Sequence, residues 1–208
     1  MSEVLQNKKV AVLLETEYIP DEIRAYQTRF EELGMEVDLL TYMWGEKERT
    51  LVSDVDSPDK EIETLKVTKC VTDVRVEDYV MVLMAANYCA VRLREIPPMF
   101  SLGSVDELTS PPAVKFYADA MSNKNIIKGA LCHALWILTP HPELLKGRKV
   151  ICHTVVLADI YNAGGVFVPE PTHVVVDEDL ITARSADDID IYVDTLISQT
   201  SKMLEGIK

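Results

Sequence analysis

Short apolar runs alternate with helical patterns along this chain, and this alternation constrains its fold more than any other feature. Residues 8–14 (KKVAVLL) form a continuous apolar run, which is typical of a strand buried on both faces. A helical pattern then extends from Pro20 to Gly34, and residues 35–42 (MEVDLLTY) predict the next strand. Because short loops join these three elements, they predict a βαβ unit with parallel strands and a right-handed crossover.

The same alternation continues to the C-terminal region. Further strands are predicted at 79–86, 125–131, 149–151 and 165–168, with a hairpin of 172–176 and 180–183. Further helices are predicted at 111–122, 133–138, 142–146 and 154–162, with a last helix capped by Ser185. Residues 45–76 predict a small hairpin excursion at the sheet edge, with strand-like segments at 49–52 and 64–71. We therefore predict an α/β fold with a doubly wound, mostly parallel sheet flanked by helices, in a single domain over residues 1–208.

Charge and hydropathy exclude several classes of partner. The chain has 34 acidic and 21 basic residues and a net charge of −13. Such a surface repels nucleic-acid phosphates and anionic membranes, so neither is expected as a partner. No secretory signal is visible, and no apolar run approaches the roughly 20 residues that span a bilayer. We expect a cytoplasmic protein whose four cysteines are free thiols.

Residues 130–134 (ALCHA) have the pattern of a nucleophile elbow centred on Cys132. Such an elbow holds its reactive residue at a sharp turn from a strand into a helix, and small residues are needed two positions before and after it. The following helix N-terminus would stabilise a thiolate, which predicts a lowered thiol pKa. His133 could act as a general base if the fold turns its ring toward the thiol. The alternative is a cysteine that only packs in the core.

A second Cys-His pair, Cys152-His153, follows at the end of the next predicted strand. If that strand lies beside the elbow strand, His153 would emerge at the same sheet edge and contact the substrate. The alternative is a histidine that caps the following helix. The two Cys-His pairs lack zinc-type spacing, and no glycine-rich phosphate loop is present. We therefore expect no metal and no cofactor.

Three segments of the sequence resemble the ThiJ/PfpI (DJ-one) superfamily. They are VAVLLETEYIPDEIRAYQTRFEELGMEVDLL near the N-terminus, GALCHAL at the elbow, and LLKGRKVICHTVVLADIYNAGGVFV followed by VVVDEDLITARS near the C-terminus. The resemblance implies a flavodoxin-like fold of the class I glutamine amidotransferase type. It also implies a homodimer or a larger homo-oligomer, in which a second subunit often lies beside the cysteine.

The resemblance also implies the partners of the elbow cysteine. In the family, a glutamate twelve residues before the glycine that ends the first helix hydrogen-bonds the cysteine sulfur, and counting back from Gly34 gives Glu22. Glu15 and Glu17 are the alternatives. Many members also have a Pro-Gly-Gly loop whose backbone N–H contributes to an oxyanion hole. Here Ala85, Ala86 and Asn87 occupy that region, so the loop departs from the family pattern.

These features predict a cysteine-dependent enzyme that acts on a small carbonyl or amide-like substrate, as a glyoxalase or amidase does. Cys132 would attack, Glu22 and His133 would move protons, and backbone amides near Ala85, Ala86 and His133 would bind the oxyanion. One alternative is a redox-sensing stress protein in which Cys132 is oxidised without turnover. The other is a small-molecule binding protein with an altered site.

Overall fold

The computed structural model describes residues 2–54, 61–169 and 173–206. The strands within these ranges are β1 Lys9–Leu13, β2 Glu36–Thr41, β3 Arg49–Val52, β4 Thr64–Val67, β5 Lys69–Cys70, β6 Met81–Met84, β7 Ile127–Leu131, β8 Lys149–Val150, β9 Val166–Phe167, β10 Val174–Asp177 and β11 Leu180–Ala183. The α-helices are α1 Ser2–Leu5, α2 Pro20–Glu31, α3 Cys89–Leu93, α4 Pro112–Ser122, α5 Pro142–Leu145, α6 Leu157–Asn162 and α7 Ile189–Glu205.

Seven strands form the main sheet, in the order β10-β11-β7-β6-β1-β2-β5. Neighbouring strands are parallel except for β10 and β11, which form an antiparallel hairpin at one edge. All residues of β6 and β7, and all of β1 after Lys9, are buried, as their continuous apolar runs predict. The predicted mostly parallel α/β sheet flanked by helices is confirmed.

The chain reverses its direction of travel across the sheet between β1 and β6. The β1–α2–β2 unit extends the sheet one way, whereas the β6–α4–β7 unit extends it the other way. Right-handed crossovers therefore place α2 and α4 on opposite faces. Ligand sites in such sheets form at this reversal, beyond the carboxyl ends of the strands.

The first long helix, α2, shows how local sequence specifies its element. Pro20 occupies the first turn, where its missing N–H costs nothing, and acidic residues follow in the same turn. Ile23, Tyr26 and Phe30 recur at helical spacing and are buried against the core, and α2 packs on α7.

Gly129, in the middle of β7, allows the C-terminal helix to pack closely against the elbow strand. A Cβ atom at this position would collide with the hydroxyl of Tyr192 on α7 and with the side chain of Leu83 on β6. The glycine therefore fixes the distance between α7 and the strand that leads to Cys132.

Two predicted elements differ from the structure. Residues 133–138 were expected to form an α-helix after the elbow, but only Ala134–Leu138 is helical, and it is a 3₁₀-helix. Pro140 and Pro142 follow closely, and proline cannot continue a helix, so the segment stays short. The strand at 149–150, β8, pairs with β9 in a separate two-stranded sheet and is not a neighbour of β7.

The excursion at residues 45–76 contains the predicted hairpin. Strands β3 and β4 pair antiparallel in their own two-stranded sheet, and β5 then joins the edge of the main sheet beside β2. Most of the loop predicted between β3 and β4 lies outside the described residues, because 55–60 are not among them. The short helix α3 was not predicted. Within the described ranges, no helix is both long and apolar enough to cross a membrane.

Candidate active site

Cys132 directly follows β7 in a left-handed backbone conformation, with φ of +61°. A non-glycine residue adopts this region at a cost, and such strain persists only where the surrounding structure enforces it. Here the backbone is held on both sides. The N–H of Cys132 donates to the carbonyl of Ala183 at 2.9 Å, and its carbonyl accepts from the N–H of His153 at 3.1 Å. The side chain is buried, with 7% of the residue exposed.

The turn brings the imidazole of His133 onto the thiol. Its Nδ1 lies 2.9 Å from Cys132 Sγ, although the two residues are adjacent in sequence. Burial, followed by the charge that His153 would carry, lowers the pKa of His133 to about 4. The imidazole is therefore neutral at neutral pH, and a neutral ring has one nitrogen free to accept a proton.

His153 reaches the site by a different route from the one that was expected. Its strand is not a neighbour of β7, but its backbone bonds to Cys132 directly, and its ring stacks on that of His133 with centroids 4.9 Å apart. Its Nδ1 also accepts from the N–H of Val155 at 3.3 Å, so it caps a short 3₁₀-helix as well. Both interpretations of His153 from sequence are therefore compatible with its placement.

Glu22 lies in the first turn of α2, with 1% of the residue exposed. Its carboxyl group accepts hydrogen bonds from the hydroxyl of Tyr26 at 2.7 Å and from the N–H of Ala86 at 2.9 Å. Burial raises the pKa of Glu22 to about 7, although both hydrogen bonds act in the opposite direction. Among the described residues, Glu22 forms no hydrogen bond with Cys132 Sγ, but its charge is close enough to influence the thiol.

Burial, and then the negative charge of Glu22, raise the pKa of the Cys132 thiol to about 12. The backbone amides of His133 and Asn87 stabilise the thiolate and only partly offset this effect. The expectation of a lowered pKa was wrong. Its basis was a helix dipole behind the elbow, but the 3₁₀-helix that follows has only five residues, and the sulfur is buried.

The loop at residues 85–87 compensates for the glycines that it lacks. The N–H of Ala85 donates to the carbonyl of Leu13, and the N–H of Ala86 donates to Glu22, so both amides are already engaged. The left-handed residue is Asn87, with φ of +59°. Asparagine tolerates this conformation better than alanine, and it places the Asn87 amide toward the sulfur.

The two alternative acids, Glu15 and Glu17, are engaged elsewhere. Glu15 is buried and pairs with Arg49 at 2.7 Å, and Glu17 pairs with Arg92 at 3.0 Å. Within the described part of the chain, neither hydrogen-bonds the sulfur of Cys132. Of the three candidate carboxyl groups, Glu22 is the one whose charge raises the pKa of the thiol.

Tyr26 was not recognised as a site residue from the sequence. Its aromatic ring at helical spacing is typical of a core position, but Tyr26 lies four residues after Glu22 and hence on the same helix face. That spacing is the available signal. Cys152 lies close enough to the site for its thiolate charge to raise the pKa of Cys132. Burial raises the pKa of the Cys152 thiol itself to about 12.

Comparison with known proteins gives a family match and distant relatives. Residues 103–199, which include Cys132, His133 and His153, match the model of the DJ-1/PfpI family. An uncharacterized protein of Staphylococcus haemolyticus is 25% identical over 194 residues, covering 92% of this chain and 97% of that protein. An uncharacterized protein of Staphylococcus aureus strain Mu50 is 26% identical over 194 residues, covering 92% and 98%.

Solved structures share the fold. The DJ-1/ThiJ/PfpI-like and ferritin-like two-domain protein of Anabaena variabilis aligns with a TM-score of 0.76 at 22% identity, covering 94% of this chain. This chain spans 48% of that protein. Drosophila melanogaster DJ-1beta aligns with a TM-score of 0.72 at 14% identity, covering 97% of each chain. The family-model match over residues 103–199 confirms the resemblance to the ThiJ/PfpI superfamily, and the solved structures show that the fold is shared.

Proposed function

Because the chain matches the DJ-1/PfpI family model in residues 103–199 and shares the family's fold over nearly its whole length, we propose that it is a cysteine-dependent enzyme. The substrate is a small molecule with a carbonyl or amide-like electrophile, and Cys132 is the nucleophile. The observation that carries this proposal is the 2.9 Å contact between Cys132 Sγ and His133 Nδ1 at a strained turn.

The resting site holds a neutral pair. The pKa of Cys132 is about 12 and that of His133 is about 4, so neutral pH leaves a thiol beside an uncharged imidazole. A thiol of this kind attacks only when a base removes its proton during the reaction. His133 accepts the proton at Nδ1 as the sulfur–carbon bond forms, and the carbonyl electron pair moves onto the substrate oxygen.

Backbone amides then stabilise the negative oxygen. We assign this role to the N–H groups of Asn87 and His133, which face the sulfur, and not to those of Ala85 and Ala86, which have other partners. The protonated His133 returns its proton to the leaving amine or to the oxygen of the adduct. His153, stacked on His133, restricts the orientation of its ring.

The pKa of Glu22, about 7, leaves its carboxyl group partly protonated at neutral pH, but its hydrogen-bond partners are Tyr26 and Ala86 and not the sulfur, so we assign the proton transfer to His133. The hydrogen bond of Glu22 with Ala86 also fixes the start of the loop that carries Asn87. We assign Glu22 the role of holding this loop in place and of setting the charge near the sulfur. Its ionised form opposes thiolate formation, which favours proton removal at the moment of attack over a permanent thiolate.

A redox-sensing role is the second candidate. The two amides that face the sulfur would also hydrogen-bond the oxygens of an oxidised cysteine. The raised thiol pKa disfavours it, because peroxide reacts with the thiolate. The third candidate function is a small-molecule binding protein with an altered site.

The test is turnover of methylglyoxal and of a panel of small aldehydes and primary amides. We expect turnover by the wild-type protein and its loss in Cys132→Ala. The control is Cys70→Ala, which should retain turnover because it removes a buried thiol that is hydrogen-bonded to Thr72, away from the elbow. Turnover that survives in Cys132→Ala would contradict the proposal. No turnover together with selective sulfinate formation at Cys132 under mild peroxide, detected by mass spectrometry, would instead support the redox role.

A further inference from the structure

Two surface cavities meet at Arg94, just after α3. The first has a volume of about 450 Å³ and is walled by Trp136 and Asp159, and the second has a volume of about 350 Å³ and extends toward Leu108. Both are lined by Arg94, together with Val91 and Thr139. Volumes of this size suit a small organic ligand. We refer to the two cavities together as the Arg94 groove.

The guanidinium of Arg94 uses only part of its donor capacity. Its Nη1 donates to the carbonyl of Trp136 at 3.1 Å and to the hydroxyl of Thr139. Among the described residues, the hydrogen bonds of Arg94 are confined to Nη1, so its Nε and Nη2 form none, and the guanidinium makes no direct ion pair. Arg92, two residues earlier, differs in this respect, because its Nε pairs with Glu17 at 3.0 Å.

The acids that line the groove have other partners. Asp159 accepts a hydrogen bond from Trp136 Nε1 at 2.7 Å, and Glu95 accepts one from the N–H of Phe100 at 3.1 Å. Burial lowers the pKa of Arg94, and Asp159 offsets this only in part. An arginine stays charged under these conditions, so a partly buried cation faces the groove. Asp159 is an opposite charge in the same cavity, but no carboxylate of the described residues forms a direct ion pair with Arg94.

We propose that the Arg94 groove binds a small monocarboxylate, whose two oxygens accept from Nε and Nη2 of Arg94. The planar guanidinium presents these donors in the fork geometry that matches a carboxylate. Val91 and the ring of Trp136 provide apolar walls for the organic part of the ligand. The negative charge of Asp159 beside the groove favours a monoanion over a dianion such as phosphate.

This site is distinct from the chemistry of Cys132, although the two are neighbours. Trp136 lines the groove, and its ring lies 5.3 Å from that of His133, measured between centroids. The binding site needs neither the thiol nor a base. Its existence can therefore be tested whether or not the protein turns over a substrate.

Sodium propionate is the probe, titrated into the full chain at constant ionic strength, and the fluorescence of Trp136 is the readout. Trp44 is the other tryptophan of the chain, so Trp44→Phe provides the background in which Trp136 alone reports. We expect a saturable change with propionate and none with the uncharged isostere propionamide. Inorganic phosphate is titrated in parallel and is expected to bind more weakly than propionate.

Matched variants decide the role of Arg94. In the same background, Arg94→Gln should weaken propionate binding at least about tenfold, whereas the neighbouring Arg92→Gln should change it less than about twofold. Asp159→Asn should tighten binding roughly threefold or more by removing a like charge. Cys132→Ala should leave binding unchanged.

Several outcomes would overturn the proposal: no saturable response to propionate, equal responses to propionate and propionamide, tighter binding of phosphate, or equal losses in Arg94→Gln and Arg92→Gln. If Arg94→Gln fails to fold, Asp159→Asn decides, because weaker or unchanged propionate binding in that folded variant contradicts the proposed charge pairing.

Discussion

Both carboxyl oxygens of Glu22 lie within hydrogen-bonding distance of the backbone amide of Ala86, at 3.1 and 2.9 Å. This contact ties the first turn of α2 to the residue before Asn87, which adopts the left-handed conformation near the cysteine. A single buried carboxyl group thereby links the stability of the fold, the shape of the loop and the ionisation of Cys132. The predictions below separate these three effects.

Glu22→Gln should remove a pH-dependent destabilisation. The pKa of Glu22 is raised from 4.5 to about 7, so the folded state binds this proton more tightly than the unfolded chain does. The contribution of protonated Glu22 to the stability of the folded state is therefore fully present below pH 4.5, and it is lost as the pH rises through 7. We expect the free energy of unfolding of Glu22→Gln at pH 8 to exceed that of the wild type by up to roughly 3 kcal/mol. This difference should decrease as the pH is lowered.

Urea unfolding between pH 4.5 and 8.5 measures this difference. Glu31→Gln, at an exposed position on the same helix, is the control and should follow the wild-type pH dependence. A Glu22→Gln variant with the same pH dependence as the wild type would show that the carboxyl group does not have a raised pKa.

Tyr26→Phe should raise the pKa of Glu22 further. The Tyr26 hydroxyl donates to the carboxyl group and favours its ionised form, and phenylalanine removes that donor while keeping the ring stacked on Phe30. The midpoint of the pH dependence of the free energy of unfolding that is due to Glu22 should move upward by roughly one pH unit. Tyr117→Phe, which removes a buried hydroxyl bonded to Gly129, should not move it. A downward move in Tyr26→Phe would contradict this assignment.

Cys132→Gly should be more stable than Cys132→Ala, by about 1 kcal/mol, because glycine adopts the left-handed backbone at position 132 without strain. Thermal or urea unfolding of the two variants measures the difference. Cys152 provides the control, since it is also buried and is not among the left-handed residues. There the order should reverse, with glycine less stable than alanine. The same order at both positions would indicate that the elbow is not strained.

Glu22→Gln should also increase the reactivity of Cys132. The negative charge of Glu22 contributes to the raised pKa of the thiol, so its removal increases the thiolate fraction at pH 8. We expect alkylation of Cys132 by iodoacetamide to accelerate roughly three- to tenfold, measured by mass spectrometry of the modified peptide. The buried Cys70 serves as an internal reference whose rate should not change. A slower reaction at Cys132 would mean that Glu22 acts on the thiol as a proton acceptor and not as a repelling charge.

The sequence by itself determined the type and order of nearly all the elements that build the main sheet. Apolar runs, helical spacing and residues such as Pro20 and Gly34 act locally, so they can be interpreted without knowing which strands are neighbours. The position of Cys132 at the end of a buried strand follows from the same local signals. The choice of Glu22 came from the family resemblance and from counting back from Gly34.

Only the tertiary structure decided how these residues meet. The contact of His133 with the thiol and the stacking of His153 depend on a left-handed turn and on a backbone bond between distant segments. The direction of the Cys132 pKa depends on burial and on a carboxylate from another helix, neither of which sequence spacing encodes. Local sequence specifies backbone elements, whereas ionisation is set by desolvation and by charges that packing brings together, and for that reason the elbow was predictable and its chemistry was not.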